Sequence, residues 1–185
     1  RPIQLSLVFA TLIVAFMLVV KTYMDTAIGY PAVHAISIDG PGIFLQGVIL
    51  LSALVGAMLL GESSVDPQGD AFAAQASTLP GSEDEQAFTT RGWFQTEIWA
   101  LFLFSVGGML IFPVASDFLT LFVALEVMSL PLYLMAGMAR RRRLLSQEAA
   151  LKYFVLGSFS SAFMLYGSAL LYGYAGTVRF DKLAD

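Results

Sequence analysis

The chain has 185 residues, of which 57% are hydrophobic and only 13% charged, and its formal net charge is −4. Its mean hydropathy of +0.74 excludes a soluble single-core domain, because several membrane-length apolar runs cannot all be buried in a chain this short. The sequence contains no cysteine and one histidine, His34, which excludes thiolate-held iron–sulfur clusters and cysteine zinc sites, and a single histidine cannot build a metal site alone. These features predict an all-α polytopic membrane protein without a cofactor or metal site of its own.

Five apolar segments are long enough to cross a bilayer. They are residues 3–20, 43–61, 94–115, 117–138 and 148–174. The first is followed by Lys21 and Tyr23, side chains that are typical of the membrane interface. The second contains small residues such as Gly56 and Ala57, which allow neighbouring membrane helices to approach closely. We therefore predict five transmembrane helices.

Two polar stretches separate the first three spans. Residues 22–42 are rich in glycine and proline and are predicted to form a loop compatible with a short hairpin, in which His34 is interpreted as a loop residue without a catalytic role. Residues 62–92 combine six acidic residues with serine, glycine and proline, a composition typical of a solvated linker. Their spacing matches no calcium-binding loop, so a metal site is not favoured. Trp93 and Trp99 are predicted to lie in an interfacial aromatic belt.

A basic cluster follows the fourth span and sets the predicted orientation. It consists of Arg140, Arg141, Arg142 and Arg143. Arginines beside a membrane span favour a cytoplasmic location over nucleic-acid binding. This orientation places the linker 62–92 in the cytoplasm and the loop 21–42 outside, in a multi-pass protein of the cell membrane. Because the chain starts at Arg1 rather than methionine, we expect it to be a fragment of a longer protein.

Glu126 is the most informative residue, because it lies near the middle of the span 117–138. This span has about 22 residues and a helical length of about 33 Å, enough to cross the hydrocarbon core. A charge at the bilayer centre costs about 3 kcal/mol, and burial favours the uncharged acid unless a cation lies beside it. Pro131 cannot donate a hydrogen bond to the Val127 carbonyl, and Ser129 adds a polar group nearby. Glu126 is a candidate proton carrier, although a carboxylic acid that only ties two helices together remains open.

The fifth span contains a lysine, Lys152, near its predicted cytoplasmic end. Small residues and tyrosines recur along this span, and they favour either tight helix packing or a hydrated path. Lys152 lies about 7 Å along its helix and Glu126 about 18 Å from the cytoplasmic end of its own helix. We therefore expect no direct ion pair, and a water or hydroxyl group would have to lie between them.

The run from residue 94 to 176 resembles a known family. It contains FSVGGMLIFPVASDFLTLFVALEVMSLPLYLMAG, followed by SQEAALKYFVLGSFSSAFMLYGSALLYGYAG. These strings resemble subunit N of the bacterial proton-pumping NADH:quinone oxidoreductase, respiratory complex I, and its arginine cluster and acidic linker resemble an actinobacterial form. The resemblance implies an antiporter-like fold of about fourteen helices with inverted repeats, of which this fragment covers the second to the sixth.

The resemblance also implies a role for particular residues. Glu126 and Lys152 correspond to the family's proton relay, with Ser129, Pro131 and Tyr133 as supporting residues. The relay is completed in the family by lysines on later helices. The chain would then be an enzyme subunit without a redox centre.

The family assembles this subunit with others in the lipid bilayer. Subunits M and K are the expected neighbours, and no nucleic acid is expected to bind. Flavin, iron–sulfur clusters and quinone, here menaquinone, belong to the whole complex. Two alternatives remain open: a subunit of a multisubunit sodium/proton antiporter without redox coupling, and a structural membrane subunit.

Overall fold

The computed structural model describes residues 2–25, 31–33, 35–61, 83, 97–138 and 143–183. In this part of the chain five helices are long and apolar enough to cross a membrane. They are α1 (Pro2–Met24), α2 (Gly40–Gly61), α3 (Glu97–Ile111), α4 (Phe118–Met138) and α5 (Arg143–Ala175). The predicted all-α membrane fold is confirmed.

The helices differ from the apolar segments mainly at their ends. Helix α1 continues past Lys21 to Met24, and α5 begins at Arg143, five residues before the predicted span. An apolar run marks the part of a helix in hydrocarbon, whereas the helical backbone extends into the interface where charged side chains are tolerated. Helix α3 ends at Ile111, because the chain tightens into a 3-10 turn that contains Pro113.

Some predicted features lie outside the described residues. They are His34, Trp93, the arginines at positions 140–142, and the linker 62–92 apart from Glu83.

A small extended layer covers the end of the bundle opposite the arginine cluster. Strands β1 (Pro31–Val33) and β2 (Ile36–Ser37) form an antiparallel hairpin. Beside it, the Ser116 N–H donates to the Ala35 carbonyl at 2.9 Å. On the other side of the same segment, the Phe118 N–H donates to the Val178 carbonyl and the Phe180 N–H to the Ser116 carbonyl, both at 3.1 Å. The turn between α3 and α4 is thereby fixed from both sides.

The helices pack in chain order, each against the next, and α3 also contacts α1. Buried apolar residues of α1, α2 and α3 form one cluster, which consists of Val8, Leu12, Leu50, Ala53, Ala57, Ile98, Trp99 and Val106. The side-chain amide of Gln46 donates to the Leu110 carbonyl at 2.9 Å and ties α2 to the end of α3. Trp99, in the first turn of α3, is only 7% exposed, so its indole packs among the helices and does not face the lipid; its predicted depth at the membrane interface stays a prediction.

Candidate functional site

The site is centred on α4, whose first turn is held by Asp117. The carboxylate of Asp117 accepts the Thr120 N–H at 2.7 Å and the Thr120 hydroxyl at 2.9 Å. This is an N-cap, in which a side-chain oxygen satisfies an N–H group that has no partner within the helix. A negative charge at this end also complements the helix dipole. Asp117 therefore fixes where α4 begins and the position of every later residue along it.

One face of α4 lies directly against α3. The Ser105 hydroxyl, which is 1% exposed, donates to the Met128 carbonyl at 2.8 Å. One turn further along α3, a methyl group on Gly108 would lie only 2.8 Å from the Ala124 carbonyl oxygen and 2.8 Å from the Met128 Cα. The two backbones touch here because glycine has no side chain, as is common in membrane helix pairs. This contact fixes the rotation of α4.

The opposite face of α4 packs against α5 through Tyr133, which is 8% exposed. Its ring lies edge-to-face against Tyr153, with centroids 4.6 Å apart, and against Phe154 at 5.8 Å. A methyl group on Gly157 would overlap the Tyr133 hydroxyl, so α5 can accept the tyrosine only at a glycine. One turn nearer the arginine cluster, Gly137 lies opposite Ala150. Aromatic rings and close helix contacts thus fill this half of the α4–α5 interface.

These contacts set the level of Glu126 along α5. From Gly137 to Glu126 is eleven residues along α4, and eleven residues along α5 from Ala150 lead to Ser161. Because the helices are antiparallel and rise equally per residue, Glu126 and Ser161 lie at about the same level. Eleven residues are also close to three full turns, so Glu126 is on the face of α4 that carries Gly137.

The Glu126 carboxylate has an unusual environment, because one of its oxygens is buried without a hydrogen bond to the described residues. Its Oε1 is buried, and it has no hydrogen-bond partner within the described part of the chain. Buried carboxylate oxygens normally have a partner, since leaving one unsatisfied costs free energy. A buried, unpaired oxygen midway along a membrane helix is therefore a candidate binding point for a proton, a water or a cation.

Lys152 is not on the face of α5 that packs against α4, and so it does not point toward the Glu126 carboxylate. It is two residues beyond Ala150, which places it about 200° around the helix from the contact with α4. Its ammonium group pairs with Glu148, one turn earlier, at 2.5 Å, and the two side chains are 69% and 56% exposed. The structure thus brings Glu126 together with the α5 surface, but it leaves Lys152 on the outward face of that helix.

The predicted supporting residues are all buried. Ser129 is 8% exposed, and its hydroxyl lies 3.5 Å from the Glu126 carbonyl oxygen, to which it donates. Pro131 is buried inside α4, which remains one helix from Phe118 to Met138. Tyr133 forms the contact with α5 described above. Ser129 and Tyr133 lie on the same side of α4 as Glu126, at three and seven residues beyond it.

A second charged pair lies beyond the end of α5. The Arg179 guanidinium donates to both carboxylate oxygens of Asp181, at 2.9 and 2.6 Å. This hydrogen bonding, with the guanidinium charge, holds the pKa of the Asp181 carboxyl below its usual value, and the same contact raises the pKa of Arg179. Asp181 is exposed and Arg179 is partly exposed, so the pair fixes the local chain direction and contributes little to stability.

Metal binding has no candidate site in the described residues. No three histidine, aspartate or glutamate side chains there lie close enough together to hold an ion.

Comparisons with known proteins agree with the sequence-based resemblance. The family model for the transmembrane region of NADH:quinone oxidoreductase and the Mrp antiporter matches residues 115–185. NADH-quinone oxidoreductase subunit N 3 of Streptomyces griseus is 55% identical over 168 residues, which cover 88% of this chain and 30% of that protein. Subunit N of Parafrankia sp. is 50% identical over 185 residues, which cover 100% of this chain and 35% of the relative. Over most or all of its length the chain is similar to a segment of subunit N.

The chain spans about a third of the length of these subunit N relatives. Among solved structures, respiratory complex I from Thermus thermophilus with bound aureothin contains a similar chain, with a TM-score of 0.69 and 27% identity over 95% of this chain and 32% of that one. The archaeal membrane-bound sulfane sulfur reductase has a similar fold, with a TM-score of 0.66 and 21% identity. The predicted antiporter-like architecture is confirmed for the part of the fold that this chain covers.

Three features of this chain were not identified from the sequence. They are the bond from Ser105 to α4, the N-cap at Asp117 and the burial of Ser161. A lone serine in an apolar helix is common, so its sequence context does not show which neighbour it meets. Asp117 preceded an apolar run by one residue, and this pattern is a usable signal for a helix start.

Proposed function

We propose that this chain forms part of a proton-translocating membrane subunit of NADH:quinone oxidoreductase, in which Glu126 takes up and releases a proton. The observation that carries the proposal is the buried, unpartnered Oε1 of Glu126 midway along α4. An ionised carboxylate in such a place is costly without a cation beside it. Approach of a cation therefore favours release of the proton, and its withdrawal favours uptake.

The second member of the proposed relay is Lys152. Lys152 lies on the outward face of α5, whereas Glu126 lies against the opposite face of that helix. The two residues therefore take part in different proton-transfer steps. The chain covers about a third of its relatives, and the outward face of α5 is where the rest of such a subunit would pack. We infer that the cation acting on Glu126 comes from that remainder, and that Lys152 passes protons to it rather than to Glu126 directly.

The energy for pumping would come from other subunits. The relatives are named for NADH and quinone, whose reaction requires flavin, iron–sulfur clusters and quinone, here menaquinone, bound elsewhere in the complex. We propose that this chain has no redox centre, adjoins subunits M and K, and lies in the cell membrane. The arginines of residues 140–143 would face the cytoplasm, consistent with the positive-inside rule.

The test is Glu126→Gln in the full-length subunit within the assembled complex. Glutamine keeps the size and hydrogen-bonding capacity of the acid but cannot titrate. Assembly, NADH-driven quinone reduction and proton uptake into membrane vesicles are measured together. We expect the complex to assemble and proton pumping to be lost.

A matched control is Glu97→Gln, which removes another carboxylate from the first turn of α3, where Glu97 is exposed. This variant is expected to pump like the parent. If Glu126→Gln also assembles, oxidises NADH and pumps like the parent, Glu126 is a structural tie between helices and the relay role is refuted.

A second candidate is a sodium/proton antiporter subunit, because the matching family description names the Mrp antiporter as well. Purification of the full-length protein distinguishes the two. Recovery with NADH-oxidising subunits supports the oxidoreductase. Recovery without them, together with proton transport that depends on sodium and not on NADH, supports the antiporter.

A further inference from the structure

The α5 surface opposite Glu126 carries a hydroxyl group whose burial distinguishes it from the rest of its helix. Of the α5 side chains that the structure describes, Ser161 alone is buried, at 8% exposure. Its neighbours Ser158 and Ser160 are exposed. Ser161 lies one turn beyond Gly157 and three turns beyond Ala150, the two α5 residues that contact α4. It is therefore on the surface of α5 that faces α4.

We propose that Ser161 is the positioning residue for the Glu126 carboxyl group, to which it is linked through one hydrogen-bonded water. The inference rests on the proposed function of Glu126. Two independent observations lead to it: the unpartnered, buried Oε1 of Glu126, and the register of α4 on α5 that brings Ser161 to the same level.

A hydroxyl group suits this role better than a charged or an apolar one. A serine can donate to an ionised carboxylate and can accept from a protonated carboxylic acid, because its O–H rotates. It can therefore hydrogen-bond Glu126 through the water in both protonation states without favouring one of them. A permanent cation at this place would hold Glu126 ionised, and an apolar residue would leave the charged state unsolvated.

A cavity lies further along the α4–α5 interface, and neither Ser161 nor Glu126 lines it. Beyond Ser161 the interface of α4 and α5 opens into a cavity of about 470 Å³ that is lined by Leu165, Ser168 and Tyr172, among others. Leu165 is one turn from Ser161. On the other side of Ser161 the interface is closed by the packing of Tyr133. A water that reaches the level of Ser161 from the cavity side would have polar partners at Ser161 and Glu126, as a stable buried water requires.

The experiment compares Ser161→Ala, Ser161→Thr and Ser160→Ala in the full-length subunit within the assembled complex. Infrared difference spectroscopy reads the carbonyl stretch of protonated Glu126, identified as the band that Glu126→Gln removes. We expect Ser161→Ala to shift this band to higher frequency and to lower the number of protons pumped per NADH. Threonine, which keeps the hydroxyl, restores both, and Ser160→Ala behaves like the parent.

The outcomes separate the two proposals. If Glu126→Gln abolishes pumping but Ser161→Ala changes neither the band nor the pumping ratio, the Ser161 proposal is overturned and the role of Glu126 stands. If Glu126→Gln pumps like the parent, both fail. Should Ser161→Ala not assemble, Ser161→Cys gives the same test, because a thiol of similar size is only a weak hydrogen-bond donor.

Discussion

Replacing Gly108 by alanine tests whether the contact between α3 and α4 positions the site. The added methyl group would lie 2.8 Å from the Ala124 carbonyl oxygen and from the Met128 Cα, where ordinary contacts are 3.4–4 Å. These atoms belong to the backbone and cannot move aside by changing rotamer. The Met128 backbone nitrogen would lie closer still, so the helices must separate by more than about 0.6 Å at this point, and overpacking of this kind costs about 1–3 kcal/mol.

The same separation weakens the hydrogen bond from Ser105 to Met128, now 2.8 Å long. A stretch of about 0.6 Å brings it near 3.4 Å, beyond the range of a good bond. We therefore expect Gly108→Ala to lower both the thermal stability of the detergent-solubilised complex and its proton pumping per NADH.

The neighbouring Gly107 provides a matched control. A methyl group there meets nothing within 4 Å, and alanine is a better helix former than glycine. Gly107→Ala is expected to match or slightly exceed the parent in thermal stability. The reasoning is refuted if the stabilities of the Gly108→Ala and Gly107→Ala complexes are equal.

Two further substitutions test the remaining contacts of α4. Gly157→Ala forces Tyr133 out of its contact with α5, so we expect a loss of about 1–3 kcal/mol in stability. In the control Gly167→Ala, the added methyl group meets nothing within 4 Å, so we expect little effect. Equal melting temperatures for the two variants would contradict this packing. Asp117→Ala removes the cap that binds Thr120 and is expected to cost about 1 kcal/mol. Asp117→Asn keeps a capping oxygen and should recover most of it; thermal unfolding of the complex measures both, and an alanine variant as stable as the asparagine variant would show that the cap contributes nothing.

The amino-acid sequence alone determined the class of the protein and its helices. Apolar runs of membrane length have one stable backbone solution in hydrocarbon, the helix, because every backbone group must find its partner internally. The five helices therefore followed from hydropathy, and only their ends differed. Glu126 stood out for the same reason, since a carboxylate within such a run is costly. Its role in a relay, with that of Lys152, stays a prediction.

The tertiary structure decided which faces of the helices meet. A uniformly apolar helix carries little information about its rotation, because lipid and protein neighbours are equally apolar. The sequence did not distinguish Gly108, which touches α4, from Gly107, where an added methyl group would meet nothing within 4 Å. It likewise did not show that Lys152 is exposed while Ser161 is buried. Those positions depend on how the side chains of two particular helices interlock, and that register exists only once both helices are packed.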